Sequence, residues 1–287
     1  MILVLGDIIV DRYIYGEVTR ISPEAPVPIF KQTLEKECFG GAANVAMNLH
    51  TLGKGVVCIG PDVFRSEFPE GLIYKKLYTA KRATIKTRYI CGQQILRVDS
   101  EDTSPIPENI EQNIKYLLNE PWEAIVVSDY NKGMITPNVI RYILDKASEL
   151  SIPTFVDPKQ DNLGYYAGFK YITPNLKEAT RALAYCSYGI GNLSYRIANS
   201  FNLPNVIVTK GDKGYEAFGY KETAFTEGPA ENIQVADTIG AGDSFMAGLV
   251  VGILNGYGLI GACKFANKVA SVACQHYGTY TVSRSEV

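Results

Sequence analysis

Short runs of apolar, mostly β-branched residues recur along this chain with helix-like stretches between them, and that alternation limits the possible folds more than any other feature. The runs are Ile2 to Leu5, Val56 to Ile59, Ala124 to Ser128, Pro153 to Val156, Tyr171 to Thr173 and Val206 to Thr209. Each reads as a buried strand. Ala42 to Leu52, Glu108 to Leu118, Pro137 to Leu150 and Leu193 to Phe201 carry helical spacing instead. Such alternation predicts an α/β fold, a central, mostly parallel sheet flanked by helices. Ligands of such sheets bind beyond the carboxyl ends of the strands.

Two stretches break the rhythm. Arg12 to Leu34 is rich in prolines and β-formers, as in Ser22-Pro-Glu-Ala-Pro-Val-Pro28, and Thr84 to Val98 alternates polar with apolar residues. Neither resembles a helix, so they read either as surface loops or as a small sheet outside the main one. From Gly242 to Tyr277 the chain is nearly all helix-forming, with a turn at Asn255-Gly-Tyr-Gly258. No repeat, low-complexity tract or long linker divides residues 1–287, and a 46% hydrophobic content supplies one large core. One domain is expected, with lid segments at about 12–34 and 84–99.

Bulk charge excludes some partners. The 28 basic and 30 acidic residues leave a net charge of -2, so no global field favours nucleic acid or an anionic membrane, and phosphate affinity must be local. Cys38, Cys58, Cys91, Cys186, Cys263 and Cys274 show no C-x-x-C spacing, with only His50 and His276 to supplement them. Reduced core thiols are expected rather than a zinc site. Met-Ile-Leu-Val-Leu-Gly-Asp7 begins as a strand rather than a signal peptide, and no apolar run reaches membrane-spanning length, so the expectation is cytoplasmic. The sequon Asn192-Leu-Ser194 is then a chance match.

Chemistry concentrates at Asp237-Thr-Ile-Gly-Ala-Gly-Asp243, which runs into the apolar helix Ser-Phe-Met-Ala-Gly-Leu-Val-Val-Gly-Ile-Leu254. Small residues let a ligand approach, and free N–H groups converge at the helix start, which makes an anion site. Asp243 stands inside it. The acid reads either as an N-cap or as a base taking a proton from an attacking hydroxyl in phosphoryl transfer. A second Gly-rich turn, Gly40-Gly41-Ala-Ala-Asn44-Val-Ala-Met-Asn48, opens a helix, and Asn44 offers a donor and an acceptor to a hydroxyl pair. Gly6-Asp7-Ile-Ile-Val-Asp11 puts two acids after the first strand, where sugar hydroxyls need acceptors. The P-loop, the Rossmann glycine pattern and the protein-kinase H-R-D and D-F-G pair are absent from the sequence.

Asp-Thr-x-Gly-Ala-Gly-Asp near the carboxyl end, together with the Gly-Gly turn near the amino end, resembles the two signatures of the ribokinase-like (PfkB) sugar kinases. The resemblance implies a ribokinase-like fold with a small β lid, and a dimer clasped through that lid. It makes Asp243 the catalytic base and the amides of Gly240, Ala241 and Gly242 the anion hole. Asp11, more than Asp7, would contact the sugar beside Gly40, Gly41 and Asn44, with Asn48 structural. Asn175-Leu-Lys-Glu178 resembles a motif that organises Mg²⁺ and phosphates through water, with a helix-start acid as the other reading. Thr209-Lys210-Gly211-Asp-Lys-Gly214 resembles a turn that cradles ATP phosphates, or is a plain hairpin turn. Asn267 matches a position beside adenine or is simply solvated. Asp237 either helps hold a monovalent cation such as K⁺ or is a loop acid.

Several segments are similar to one subgroup, bacterial kinases acting on C1 of D-glycero-D-manno-heptose 7-phosphate. They are Gly6 to Tyr13, Arg20 to Pro28, Gln93 to Asp99, Ser128-Asp-Tyr-Asn-Lys-Gly133 and Val156-Asp-Pro-Lys159. The similarity implies Asp129 at the substrate, and an acceptor bearing phosphate needs cations, for which Arg88, Arg97, Lys132 and Lys159 are candidates. The rivals are a kinase for another sugar or a nucleoside, and a sugar-phosphate-binding protein with weak turnover. Two stretches depart from the subgroup: 61–77 leaves no room for an expected acidic turn and full helix, and 184–193 is shortened. Members of the subgroup continue into a nucleotidyltransferase domain, so this chain reads as a stand-alone kinase or a kinase fragment.

Overall fold

The computed structural model describes residues 1–63, 67–78, 83–159, 163–184, 191–221 and 224–287. Cys186 and the middles of the two departing stretches, 64–66 and 185–190, lie outside the described residues. The strands are β1 (Ile2–Gly6), β2 (Ile8–Ile21), β3 (Pro28–Gly41), β4 (Val56–Pro61), β5 (Leu72–Tyr78), β6 (Ile85–Cys91), β7 (Gln93–Ser100), β8 (Ala124–Ser128), β9 (Thr154–Asp157), β10 (Tyr171–Ile172), β11 (Asn205–Thr209), β12 (Tyr215–Gly219) and β13 (Ala224–Gly228). The helices are α1 (Ala42–Thr51), α2 (Glu108–Leu117), α3 (Pro137–Leu150), α4 (Leu176–Leu183), α5 (Leu193–Phe201), α6 (Ala241–Leu254) and α7 (Gly258–Cys274).

The main sheet runs in the order β13-β12-β11-β10-β9-β8-β1-β4-β5. It is parallel from β5 to β11 and turns antiparallel at β12 and β13. Successive residues of the central strands face opposite layers, as the pleat requires. Ile2 and Val4 of β1 and Val126 of β8 pack with α1, α6 and α7. Leu3, Leu5 and Val127 pack with α2, α3, α4 and α5. That two-sided burial explains why the strands read as continuous apolar runs. α3 shows how local signals set a boundary: Thr136 caps it through Val139 N, Pro137 opens it, and Ser151 ends it in a left-handed conformation.

The segments that broke the rhythm form the expected small sheet, in the order β3-β2-β6-β7. β2 and β3 are longer than the expected lid segment, so β2 starts directly after β1 and Gly40-Gly41 closes β3. β5, β12 and β13 are strands that the periodicity of the sequence does not announce. β5 takes up the end of the 61–77 stretch, which reads as too short for the subgroup's helix, and its Leu-Ile-Tyr-Lys-Lys-Leu-Tyr pattern belongs to a partly exposed edge. β12 and β13 pair across a short turn at the other edge, where no long apolar run is needed.

α6 and α7 approach closely. A Cβ on Gly248 would lie 2.7 Å from Ala266 Cα, and one on Gly252 would lie 2.8 Å from Ala262 Cα. Both distances are below ordinary contact, so only glycine permits this seam. Cys58 and Cys263 are buried, whereas Cys38, Cys91 and Cys274 are partly exposed. Among the described residues, no helix is long and apolar enough to cross a membrane.

Candidate active site

The turns after β1 and β8, the end of β9 and the starts of α1 and α6 converge at the carboxyl edge of the main sheet, with the small sheet beside them. Asp243 stands at their centre, in the first turn of α6 and 3% exposed. Asn44 Nδ2 donates to its Oδ2 at 2.8 Å and the Tyr130 hydroxyl donates to its Oδ1 at 2.9 Å. Burial pushes its pKa up to about 6, against the pull of those two hydrogen bonds. Holding the ionised form there costs about 3 kcal/mol relative to water. A carboxylate with that pKa, two fixed donors and free lone pairs can take a proton from a hydroxyl near neutral pH.

The turn into α6 is open to an anion. Gly240 sits at φ 77° as the N-cap, and a Cβ there would come within 2.7 Å of Asn44 Nδ2, so glycine is required twice over. Ala241 N donates to Thr238 O at 3.3 Å. For the amides of Gly240, Gly242 and Asp243 the described residues offer no acceptor. Of the expected anion-hole amides, Gly240 and Gly242 are therefore free, Ala241 is engaged, and Asp243 adds its own.

A cavity of about 430 Å³ opens beside this turn, lined by Thr209, Gly211, Gly214, Ala241, Gly242 and Asn267, among others. The 209–214 segment joins antiparallel strands β11 and β12, as a hairpin turn does, and also walls the cavity. Lys210 Nζ pairs with buried Glu216 at 2.5 Å, which ties that turn to β12. Asn267 Nδ2 donates to Pro229 O.

On the opposite side, Asp11 is buried and ion-paired with Arg88 at 2.5 Å, and Arg88 lies over the Tyr13 ring. Gly40 stands so close to Asp11 that an added Cβ would collide with its Oδ2. Gly41 caps α1. The sheet register puts Asp11 opposite Cys38 and Lys86, Tyr13 opposite Lys36 and Arg88, Lys86 opposite Asp99, and Arg88 opposite Arg97. Paired residues and their i+2 neighbours share a face. One face of the lid thus carries Lys36, Lys86, Arg88 and Arg97 against Asp11 and Asp99. Arg97 is exposed and ion-paired with Asp99 at 3.0 Å. Lys132 pairs with Glu101 and lines a second cleft, of about 240 Å³, together with Asp7 and Asp102.

Other acids organise the frame. Asp7 accepts the main-chain N–H groups of Tyr130, Lys132 and Met134. Asp129, pushed up to about 6 by burial, accepts from Asn131 N and the Tyr166 hydroxyl, so both its oxygens serve the loop rather than the cleft. Asp237 accepts from Ile239 N and Gly278 N, the pattern of a loop acid. Asn175 and Glu178 form a reciprocal capping box on α4, and Glu178 also pairs with Lys159 at 2.8 Å. Asn48 bridges Asn44 and Val282 N, a structural role.

Three residues escape a reading by sequence. Tyr130 lies within Ser128-Asp-Tyr-Asn-Lys-Gly133, yet an aromatic there reads as core. Lys86 becomes visible only through the β2–β6 register. Asp157 is held well above the ordinary carboxylate range, first by burial and then by the charges of Glu178 and Asp243.

With this geometry in place, the likeness to known proteins is informative. The chain matches the family described as pfkB family carbohydrate kinase over residues 110–286. It is 37% identical over 297 residues to the "Bifunctional protein HldE" of Campylobacter jejuni subsp. doylei, which takes in 100% of this chain and 63% of that protein. The protein of the same name in Trichlorobacter lovleyi is 35% identical over 303 residues, covering 99% of this chain and 61% of its own length. The chain thus spans about three fifths of the length of these relatives. Among solved structures, phosphofructokinase-2 from Escherichia coli in complex with potassium superposes with a TM-score of 0.77 at 17% identity, over 100% of this chain and 96% of that one. Arabidopsis thaliana ribokinase complexed with ribose and ATP gives 0.73 at 15% identity, over 99% and 96%. The chain belongs to the pfkB family of carbohydrate kinases and has the ribokinase-like fold.

Proposed function

We propose that this chain transfers the γ-phosphoryl group of ATP to the C1 hydroxyl of D-glycero-D-manno-heptose 7-phosphate. The product is the 1,7-bisphosphate, an intermediate for ADP- or GDP-heptose and surface glycans, made in the cytoplasm where ATP is supplied. The observation that carries the reading is the pairing of a buried, doubly hydrogen-bonded Asp243 with a lid face that holds more cations than acids. A neutral sugar needs no such excess, whereas an acceptor already bearing phosphate does. The 37% identity to a bifunctional HldE along the whole chain supports the same substrate class.

In this reading Asp243 removes the proton from the attacking hydroxyl, and the amides of Gly240, Gly242 and Asp243 stabilise charge on the moving phosphoryl group. Asn44 and Tyr130 hold the base in place. The nucleotide occupies the larger cavity, with Asn267 at its base side and the 209–214 turn at its phosphates. Asp11, held by Arg88, accepts from sugar hydroxyls, while Arg97 and Lys132 face the distal phosphate. Asp129 supports the 128–133 loop behind them.

The donor set fits Mg²⁺. Asp157 and Glu178 share one electrostatic neighbourhood with Asp243, and burial with like charges leaves Asp157 reluctant to ionise without a cation. Magnesium keeps several waters and takes few carboxylates, and among the described residues no three metal-binding side chains gather to hold an ion by themselves. When bound, the ion would neutralise phosphate charge. Asp237 already gives both oxygens to main-chain amides, so no step is assigned to a monovalent cation there. The lid strands expose Ile21, Leu34, Leu96 and Val98. An apolar set of that kind suits a homodimer clasped through the lid.

The test is ATP consumption against a panel of heptose 7-phosphate, other sugar phosphates, free sugars and nucleosides. Preferred turnover of the heptose phosphate is expected. Equal efficiency on free sugars or nucleosides would replace this substrate, and binding without turnover would replace the kinase reading of the site.

A further inference from the structure

We propose that Tyr130 is a positioning residue for Asp243, and that Lys86 on the lid fixes where the Tyr130 ring stands. The inference rests on the reading of Asp243 as the base. Tyr130 is held at three points. Its main-chain N–H donates to Asp7 Oδ2 at 2.8 Å, which anchors the loop to the end of β1. Its hydroxyl donates to Asp243 Oδ1 at 2.9 Å. Lys86 Nζ lies 5.4 Å from the centroid of its ring, within reach of a cation–π attraction.

These contacts have separate consequences. With Asn44 on Oδ2 and Tyr130 on Oδ1, the carboxylate plane of Asp243 is fixed, and each oxygen keeps a lone pair that a hydroxyl could use. A donor to the charged form favours ionisation, so Tyr130 works against the burial that keeps the acid protonated. The phenol itself is held well above its ordinary pKa by burial and by Asp243, so it remains a donor at every working pH and does not compete as a base. The charged groups acting on Asp243 from other elements include Asp11 of β2, Lys86 of β6 and Asp157 of β9, the last coupled in turn to Glu178 of α4. Only Lys86 among them is cationic, and it is half-buried on the sheet that carries Asp11 and Arg88. A lid that settles on an acceptor therefore carries Lys86 with it and sets the ring, and through the ring the base.

The experiment compares wild type with Tyr130→Phe, Lys86→Met and Lys86→Arg. The Asp243 carboxyl is titrated by ¹³C NMR in protein without substrate, its signal assigned by its loss in Asp243→Asn. The pH dependence of kcat is then measured with heptose 7-phosphate and ATP. Tyr130→Phe is expected to raise the Asp243 midpoint by about half a pH unit or more, move the acid limb of kcat upward with it, and lower kcat roughly 10-fold with KM for ATP unchanged. Lys86→Met should act in the same direction and more weakly, and Lys86→Arg should restore wild-type behaviour. A lower kcat with the carboxyl midpoint and acid limb unmoved would overturn the proposal. If Tyr130→Phe does not fold, 3-fluorotyrosine at 130, a stronger donor, should lower the midpoint, and an unmoved midpoint would again overturn it. Failure of wild type to phosphorylate the heptose would sink the substrate assignment alone, because the carboxyl titration uses no acceptor.

Discussion

The cavity beside α6 is walled by Gly211, Gly214 and Gly242 and by the neutral side chains of Thr209, Asn232, Thr238, Asn267 and Ser271, whereas the lid face offers Lys36, Lys86, Arg88 and Arg97 against Asp11 and Asp99. The first surface depends on backbone shape, which many sequences can reproduce. The second depends on which side chains occupy a few register positions. General nucleotide binding and particular acceptor choice are thus expected to separate under mutation, with Asp243 between them belonging to both.

The strongest way to break the contrast is at that shared point. Asp243→Asn should lower kcat by about 10²- to 10⁴-fold while calorimetric ATP affinity stays near wild type. Unchanged turnover would remove the base from the scheme. Gly240→Ala comes next, because the added carbon meets Asn44 and the backbone is left-handed there. A loss of roughly 10- to 100-fold in kcat together with weaker ATP binding is expected from this backbone position. If only the acceptor KM changed, the division between backbone and side-chain surfaces would be misplaced.

A smaller effect sharpens the acceptor side. Arg97→Ala should raise KM for a phosphorylated acceptor about 10-fold and leave KM for ATP alone. An equal loss on an unphosphorylated sugar would show that the arginine reads something other than phosphate. The smallest effect is a pH dependence. Turnover should halve as pH falls to about 6, where Asp243 takes up its proton. Folding raises this pKa, so the group's contribution to stability is complete below its ordinary value of 3.8 and is lost as pH rises through about 6. The melting temperature of Asp243→Asn relative to wild type should therefore climb between pH 4 and pH 7, and a constant difference would contradict the shift.

How much of this was legible in the sequence follows from how each signal is encoded. β1, β4 and β8 announce themselves because burial on both faces demands uninterrupted apolar residues. β5, β12 and β13 are edge or near-edge strands whose partners, not their own patterns, define them. Within the site, Asp243, Gly240 and the Asn175–Glu178 capping box are local motifs and could be read directly. Tyr130 and Lys86 could not, since their meaning comes from contacts 113 residues away in the chain for the one and from sheet register for the other. Asp129 and Ala241 sit inside the right motifs, but the loop uses their polar groups itself.

The glycine seam between α6 and α7 constrains how the molecule can move. Asp243 rides on α6, while Asn267 and Ala270 of the large cavity ride on α7, and at Gly248 and Gly252 the two helices touch backbone to backbone. Sliding one past the other would bring main-chain atoms into collision, so base and cavity wall travel as a single piece. Any opening of the site is then left to the separate β3-β2-β6-β7 sheet, which takes no part in this seam.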